Sequence, residues 1–145
     1  MPRIEHQTLI HVPREKVFRT LTTAEGWNAW FTDETSLVLK GKSGDIQLRW
    51  NGEGGTIEDG GAIVEVRENA YFAFEWSPGE GMTKVTFQLA EHDQGTIVTV
   101  KETGYSDSEK DIQACVGCAV GWGEALTLLK IYLEHGIVYK QDLIL

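Results

Sequence analysis

The fold is decided by one long segment near the C-terminus, residues 107–135, which reads DSEKDIQACVGCAVGWGEALTLLKIYLEH. Apolar residues recur along it at alternating spacings of three and four, the pattern of an amphipathic α-helix. These residues are Ile112, Cys115, Ala119, Trp122, Leu126, Leu129 and Leu133. Ser106, with Glu109 three residues later, matches a capping box, and Gly136 suits a helix end in the left-handed conformation. At a rise of about 1.5 Å per residue this helix is roughly 40 Å long, enough to cross a whole sheet.

The residues before this helix alternate between apolar and polar side chains, which predicts strands with one covered face and one wet face. Short glycine- and asparagine-rich turns separate the alternating segments, so successive strands form hairpins and the sheet is antiparallel. The predicted strands are 36–40, 45–50, 62–67, 71–76, 84–90 and 96–103.

The N-terminal residues predict one further strand and two short helices. Residues 3–12 alternate, and Pro13 ends this strand and suits the first turn of a helix. Thr22 or Thr23 caps a second short helix over residues 24–31. The element order predicts an α+β fold, in which a strongly curved antiparallel sheet of six to seven strands surrounds the long helix.

Length and composition are those of an ordinary globular protein. The chain has 145 residues, of which 41% are hydrophobic, and its formal net charge is −9. This size predicts a single domain over 1–145, and the acid excess disfavours binding to nucleic acid or to an anionic membrane surface. No stretch reads as a signal peptide or approaches the length of a membrane span, so we expect a cytoplasmic protein.

Two cysteines form a CxxC motif, Cys115 and Cys118, inside the predicted long helix. A redox motif of this kind follows a strand and opens a helix, so the context is wrong. A zinc site needs two further ligands, and neither a second cysteine pair nor a metal-binding histidine pattern is present. We therefore expect no metal, no cofactor, and cysteines that are buried like small apolar side chains.

Two polar residues are candidates for a buried site, although no catalytic motif such as GxSxG or a Walker loop is present. His6 lies on the apolar side of the first strand, where a core histidine with a satisfied hydrogen bond is the expected interpretation. Glu102 shares the parity of the inward-facing Val98 and Val100, but its place near the strand end predicts a surface position. Both are retained as candidate polar groups of a cavity.

Four of the five tryptophans fall at positions that should face the interior: Trp30, Trp50, Trp76 and Trp122. As core residues they supply much of the buried area of a small domain. As cavity walls they present flat apolar surfaces with a few indole N–H donors, as in pockets for small apolar ligands. The sequence leaves these two interpretations open.

Three glycines lie well inside the predicted long helix, Gly117, Gly121 and Gly123. Each costs about 1 kcal/mol relative to alanine in a helix interior, so they need a compensating reason. We expect close approach of the helix backbone to the sheet, or room for a large neighbouring side chain. The alternative is that small side chains open a ligand cavity.

Several short motifs follow one another along the chain in a recognisable order. A strand–proline–helix start, IHVPREKVF at 10–18, is followed by GAIVEV at 61–66 and YFAFEW at 71–76, and GTIVTVKETG at 95–104 precedes Gly121-Trp122 in the long helix. This order resembles the START-like, helix-grip superfamily. More specifically, it is similar to the family named for the C-terminal domain of the activator of the ninety-kilodalton heat-shock chaperone's ATPase.

The resemblance implies a cavity between sheet and helix, where the superfamily binds lipids, sterols and polyketides, and where a few members act as cyclases or other enzymes. The family name also implies a heat-shock chaperone as a partner and a role in the stress response. The eukaryotic co-chaperones, however, carry a further N-terminal domain for chaperone binding, for which we expect no room in 145 residues.

We therefore predict a non-enzymatic protein that binds a small hydrophobic or aromatic ligand between the sheet and the C-terminal helix. The predicted ligand-binding residues are Trp30, Trp50, Phe74, Trp76, Phe87, Cys118, Trp122 and Leu126, with His6 and Glu102 as polar groups of the cavity. Two alternatives stay open. One is a chaperone-associated interaction module, and the other is a cyclase or hydrolase that needs a perturbed acid or base in the cavity.

Overall fold

The computed structural model describes residues 2–52 and 54–140. In this part of the chain the elements follow the predicted order. They are β1 (Ile4–Ile10), α1 (Arg14–Leu21), α2 (Ala24–Trp30), β2 (Glu34–Lys40), β3 (Ser43–Gly52), β4 (Gly55–Arg67), β5 (Tyr71–Trp76), β6 (Thr83–His92), β7 (Gly95–Thr103) and α3 (Glu109–His135). The α+β class and the long C-terminal helix are therefore confirmed.

All seven strands form one curved antiparallel sheet in the order β1-β7-β6-β5-β4-β3-β2. Strands β2 to β7 pair as consecutive hairpins, as the short turns predict. Strand β1 pairs along β7 at the other edge, from Ile4 opposite Glu102 to Ile10 opposite Thr96. Helix α3 packs on β1 and α2, so it covers the inner face of the sheet.

The core lies between this inner face and α3, with α1 and α2 closing one side. Inward residues of the central strands are buried, among them Phe72, Phe74, Val85, Phe87, Val98 and Val100. Trp27 of α2 is fully buried, and its indole N–H donates to the Leu21 carbonyl at 2.8 Å. Its ring meets those of Phe74 and Phe87 edge-on, each at 6.1 Å. Aromatic side chains thus fill much of the space beneath the helix.

Strand β4 begins at Gly55, well before the predicted start at residue 62. The residues from 55 to 61 lack apolar alternation, but they pair with β3 from Gly52 opposite Gly55 onward. Backbone hydrogen bonds therefore hold this stretch as a strand without help from side-chain burial. Gly60 is required there, because an added Cβ would collide with the Ile46 carbonyl of β3. The other predicted boundaries agree within two residues.

The N-terminal cap of α3 is Ser108, and the predicted capping box at Ser106 is wrong. The Ser108 side chain accepts from the backbone N–H of Asp111 at 3.1 Å. The Asp111 carboxylate points inward and accepts from the backbone N–H groups of Ser106 and Glu80, at 2.7 and 2.8 Å. Because Asp111 takes the inward position, Ile112 is rotated outward and is 44% exposed, contrary to the predicted apolar face.

Helix α3 is long and apolar enough to cross a membrane, by length and composition alone. The expectation that no stretch approaches the length of a span is therefore wrong. The core helix of a globular domain passes the same test, and α3 buries Trp122, Leu126, Leu129 and Leu133 against the sheet and α2. We interpret it as the core helix of this domain.

Candidate functional site: a tryptophan-walled cleft

A cleft of about 410 Å³ opens between α3 and one end of the sheet. Its walls come from the ends of β3 and β5, the first residues of β4, the residue that follows α2, and one face of α3. The lining residues are Phe31, Trp50, Ile57, Glu58, Asp59, Trp76, Ser77, Pro78, Gly117, Cys118, Gly121 and Trp122. Its volume lies within the roughly 300–1,000 Å³ of typical small-molecule sites.

Four aromatic side chains form the apolar walls. The ring centroids of Trp76 and Trp122 lie 5.6 Å apart, and Phe31 meets Trp50 edge-on at 5.2 Å. Phe31 also lies 6.2 Å from Trp122 and stacks on Trp30 at 4.9 Å. The rings therefore form one connected cluster, in which each wall is held by its neighbours.

Two glycines keep the helix side of the cleft open. A Cβ added at Gly117 or Gly121 meets no heavy atom within 4 Å. The expected close approach to the sheet or to a large side chain is therefore wrong at these positions, and the alternative of an opened cavity fits them. Gly123 differs, because the His6 ring lies 3.5 Å from an added Cβ there.

Glu102 lies directly behind the tryptophan walls, fully buried. Its Oε2 accepts from Trp76 Nε1 at 2.8 Å, from Thr83 Oγ1 at 2.6 Å and from the Tyr105 hydroxyl at 2.9 Å. Its Oε1 accepts from Trp122 Nε1 at 2.8 Å. These four bonds replace the water that a buried carboxylate loses.

The expected surface position of Glu102 is thus wrong. Ile4 of β1 and Val85 of β6 lie opposite it on the two neighbouring strands, so pairing covers this end of β7 from both sides. Within residues 2–52 and 54–140, no cationic side chain forms an ion pair with it. Because Trp76 and Trp122 donate to opposite oxygens of one carboxylate, Glu102 sets the orientation of both rings.

Two further groups of this buried cluster stay protonated at neutral pH. Burial raises the pKa of the Cys118 thiol to about 11, although its interaction with the Tyr105 hydroxyl opposes the shift. Burial, the Cys118 interaction and the charge of Glu102 raise the pKa of Tyr105 above its usual range. A protonated thiol and a protonated phenol are not activated nucleophiles.

The β4 side of the cleft is acidic. The Glu58 carboxylate pairs with Arg49, Oε1 to Nε, at 3.5 Å, on the outer side of the sheet, because Arg49 lies between the inward-facing Leu48 and Trp50. Asp59 Oδ1 accepts from the backbone N–H groups of Gly60 and Ser77, at 2.8 and 3.0 Å. The charge of Asp59 also contributes to the raised pKa of Cys118, across the cleft. No lysine, arginine or histidine is among the described residues that line the cleft.

The structure divides the eight predicted ligand-binding residues into two groups. Trp50, Trp76, Cys118 and Trp122 line the cleft. Trp30, Phe74, Phe87 and Leu126 are buried in the core behind it. Phe74 meets Trp76 edge-on at 5.8 Å, and Phe87 meets Trp122 at 5.7 Å, so both support the walls. Direct contact of any of the eight residues with a ligand stays a prediction.

The two candidate polar groups also separate. His6 is partly buried against α3, and its Nε2–H donates to the Ala119 carbonyl at 2.8 Å, the expected satisfied hydrogen bond. His6 does not line the cleft, whereas Glu102 lies immediately behind its walls.

Sequence reasoning missed six of the lining residues, Phe31, Ile57, Glu58, Asp59, Ser77 and Pro78. Phe31 follows the end of α2, where the helical periodicity no longer indicates a direction. Ile57 and Asp59 belong to the part of β4 that pairing alone makes a strand, so no alternation marks their inward side.

A second groove, of about 660 Å³, lies at the opposite end of β6 and β7. Polar and charged side chains line most of it, including His11, Arg14 and Asp93. Arg14 pairs there with the exposed Glu91 at 3.4 Å. Because it lacks aromatic walls, this surface groove is a weaker candidate for binding an apolar ligand.

No metal centre is found among the residues that the structure describes, since no three histidine, cysteine or acidic side chains cluster there. Cys115 and Cys118 are both free, the former buried and the latter half-buried.

The sheet that surrounds a long C-terminal helix, with a cleft between them, defines a START-like protein. The model of one family within this class matches residues 11–134, and its description is "Activator of Hsp90 ATPase homolog 1-like protein". The match covers most of the chain, so the chain belongs to this family. A sequence comparison with curated proteins finds no match.

Solved structures share the fold over nearly the whole chain. A protein from Staphylococcus saprophyticus is 28% identical, with a TM-score of 0.75, and 96% of each chain is covered. The Aha1 dimer of Colwellia psychrerythraea is 22% identical, with a TM-score of 0.74, over 94% of this chain and 98% of that one. A protein of the dynemicin biosynthetic locus is 19% identical, with a TM-score of 0.74, over 92% of this chain and 48% of that one.

Proposed function

We propose that the cleft binds a small hydrophobic or aromatic molecule. The observation that carries this proposal is the open space of about 410 Å³ between Trp50, Trp76 and Trp122 and the two glycines of α3. Glycines inside a helix are unfavourable, and the space that they leave is not used for packing. Binding a ligand explains why this space is kept.

The same cluster favours binding over catalysis. Cys118 and Tyr105 stay protonated at neutral pH, and Glu102 is covered by its four donors and does not line the cleft. A cyclase or hydrolase needs an acid, base or nucleophile within reach of its substrate. Among the described lining residues, the Asp59 carboxylate is engaged with backbone N–H groups, and the Glu58 carboxylate pairs with Arg49 on the outer side of the sheet.

The experiment uses prodan, a neutral naphthalene dye whose emission shifts to the blue in apolar surroundings. We expect the unmodified protein to bind it, and Gly121→Leu to weaken binding at least about tenfold, because the leucine side chain fills the cleft. Gln113→Leu is the matched control, since it adds the same side chain at an exposed position of α3 outside the cleft.

Equal dye affinity for Gly121→Leu and the unmodified protein would contradict the proposal, as would absence of binding. Circular dichroism shows that each variant is folded. The protein is then purified from its native host, and mass spectrometry under gentle conditions identifies a small molecule that co-purifies with it.

A second candidate function is an interaction module for a heat-shock chaperone, as the family description suggests. The observation that favours it is a strip of exposed aliphatic side chains on α3, with Val116 61% and Val120 70% exposed. Exposed apolar patches often mark contact surfaces. If the strip is such a surface, the protein changes the chaperone's ATP turnover and Val116→Lys with Val120→Lys abolishes the effect. An unchanged turnover would exclude this role.

A further inference from the structure

We infer that the ligand of the cleft is an organic cation, a molecule with an apolar or aromatic body that carries a protonated amine or a quaternary ammonium group. The inference rests on the proposed function and adds the charge of the ligand to it. Three features of the cleft lead to it: the aromatic faces, the carboxylate behind them, and the acidic rim.

The aromatic faces provide the first argument. A cation is attracted to the negative face of an aromatic ring, most strongly to tryptophan, and aromatic cages recognise quaternary ammonium groups in this way. The cleft places Trp50, Trp76, Trp122 and Phe31 around one space, with neighbouring rings 5.2 to 6.2 Å apart.

The carboxylate of Glu102 strengthens two of these faces. It accepts from the indole N–H of both Trp76 and Trp122 at 2.8 Å, without a cationic partner among the described residues. A hydrogen bond to a negative acceptor shifts electron density into the donor ring, because bonded groups polarise one another in a low-dielectric interior. Both rings are therefore more electron-rich than isolated indoles.

The rim supplies a charge within reach of the ligand. The Glu58 carboxylate pairs with Arg49 on the outer side of the sheet, whereas Asp59 lies opposite the inward-facing Leu48. Asp59 accepts only from backbone N–H groups and has no cationic side-chain partner in the described residues. An anionic ligand would meet the Asp59 carboxylate, with no positive side chain among the described lining residues to offset it. A neutral ligand gains no charge–charge attraction from Asp59, whereas a cation pairs with its carboxylate.

The experiment compares three naphthalene probes of equal shape. One carries a trimethylammonium group on a methylene arm, the second replaces its nitrogen by carbon, and the third carries a sulfonate. Quenching of tryptophan fluorescence measures their affinities. We expect the cation to bind at least about tenfold more tightly than the neutral probe, and the anion to bind most weakly.

Asp59→Asn tests the rim. It removes the charge but keeps the Oδ1 acceptor for Gly60 and Ser77. We expect it to weaken binding of the cation about tenfold and to change the neutral probe less than about twofold. Asp93→Asn, at the other end of β6 and β7, is the matched control and changes neither affinity. If Asp59→Asn does not fold, the three probes on the unmodified protein decide, and equal affinities of the cation and the neutral probe overturn the inference.

The outcomes separate the two proposals. If all three probes bind equally and Gly121→Leu prevents their binding, the inference of a cation is wrong and the proposed function stands. If no probe binds, both are wrong. If the cation binds but Gly121→Leu does not weaken it, the cation binds to the acidic surface outside the cleft, and the inference is wrong.

Discussion

At the scale of single residues, Glu102 organises the site. It joins two tryptophans, a tyrosine and a threonine that come from β5, β6, α3 and the segment after β7. A buried acceptor with four neutral donors links elements that are far apart in sequence. Such a network stabilises one arrangement of the core only while every member has its partner.

We therefore expect Glu102→Gln to destabilise the protein by about 2 kcal/mol or more. Glutamine has one acceptor oxygen, so its NH₂ group faces at least one indole or hydroxyl donor and leaves it unsatisfied. Urea denaturation followed by circular dichroism measures the loss. Glu75→Gln, on the outer side of β5, is the control and should change stability by less than about 0.5 kcal/mol. Equal effects of the two substitutions would show that the hydrogen bonds of Glu102 do not add to the stability of the fold.

Cys118 gives the stability of the fold a dependence on alkaline pH. Its pKa is about 11 in the folded protein against an ordinary value of 9.0, so the unfolded chain loses this proton first. The contribution is therefore fully present below pH 9 and is lost as the pH rises toward 11. Tyr105, whose pKa is also raised, acts in the same direction.

We expect the free energy of unfolding to fall between pH 9 and 11 and to fall less steeply in Cys118→Ala, which removes the group that titrates over this interval. Urea titrations at a series of pH values measure both slopes. Equal slopes for the unmodified protein and Cys118→Ala would show that Cys118 does not cause the loss of stability. Alkylation of the thiol by iodoacetamide at pH 7.5 should likewise be slow when folded and fast in urea.

At the scale of elements, the two halves of α3 differ in how they pack. Its second half is a conventional core helix, with Leu126, Leu129 and Leu133 buried. Its first half carries glycines on the side of the cleft and exposed valines beside them. Two of the three interior glycines, Gly117 and Gly121, lie along the stretch that faces open space.

Gly117→Ala should therefore stabilise the protein by about 0.5–1 kcal/mol, because the added methyl group enters open space and alanine favours the helix. Gly26→Ala, in α2, is the contrasting variant. Its Cβ would collide with the Thr20 backbone, so we expect a loss of about 1–3 kcal/mol. Thermal unfolding measures both. A destabilising Gly117→Ala would mean that the helix backbone does approach the sheet there.

At the scale of the whole molecule, the net charge of −9 affects the binding of a cationic ligand as well as solubility. A negative field attracts a positive ligand and raises its association rate, and salt screens this attraction over about 10 Å at 0.1 M.

Raising the ionic strength from about 0.02 to 0.5 M should therefore slow association of the trimethylammonium probe several-fold, with little change in its dissociation rate. Stopped-flow fluorescence measures the two rates. The carbon isostere is the control, since an uncharged probe is not steered. A salt effect of equal size on both probes would show that the field of the protein does not guide the ligand.

The sequence by itself determined the element order, the antiparallel hairpins and the α+β class, because periods of two and of about 3.6 residues record which side of each element is covered. The strand alternation placed Trp50 and Trp76 inward, and the helical spacing placed Trp122 inward. The burial of Glu102 depends on Trp122, the outward turn of Ile112 depends on the contact of its neighbour Asp111 with Glu80, and the first residues of β4 depend on pairing with β3. The local pattern around each residue does not show these partners.

Only the tertiary structure decided which inward aromatic side chains fill the core and which line a cleft. Phe74, Trp76 and Phe87 all face the covered side of the sheet, but only Trp76 lies where the glycines of α3 leave a gap. Periodicity reports the side on which a residue lies. Whether space remains on that side is decided by the volume and position of what packs against it.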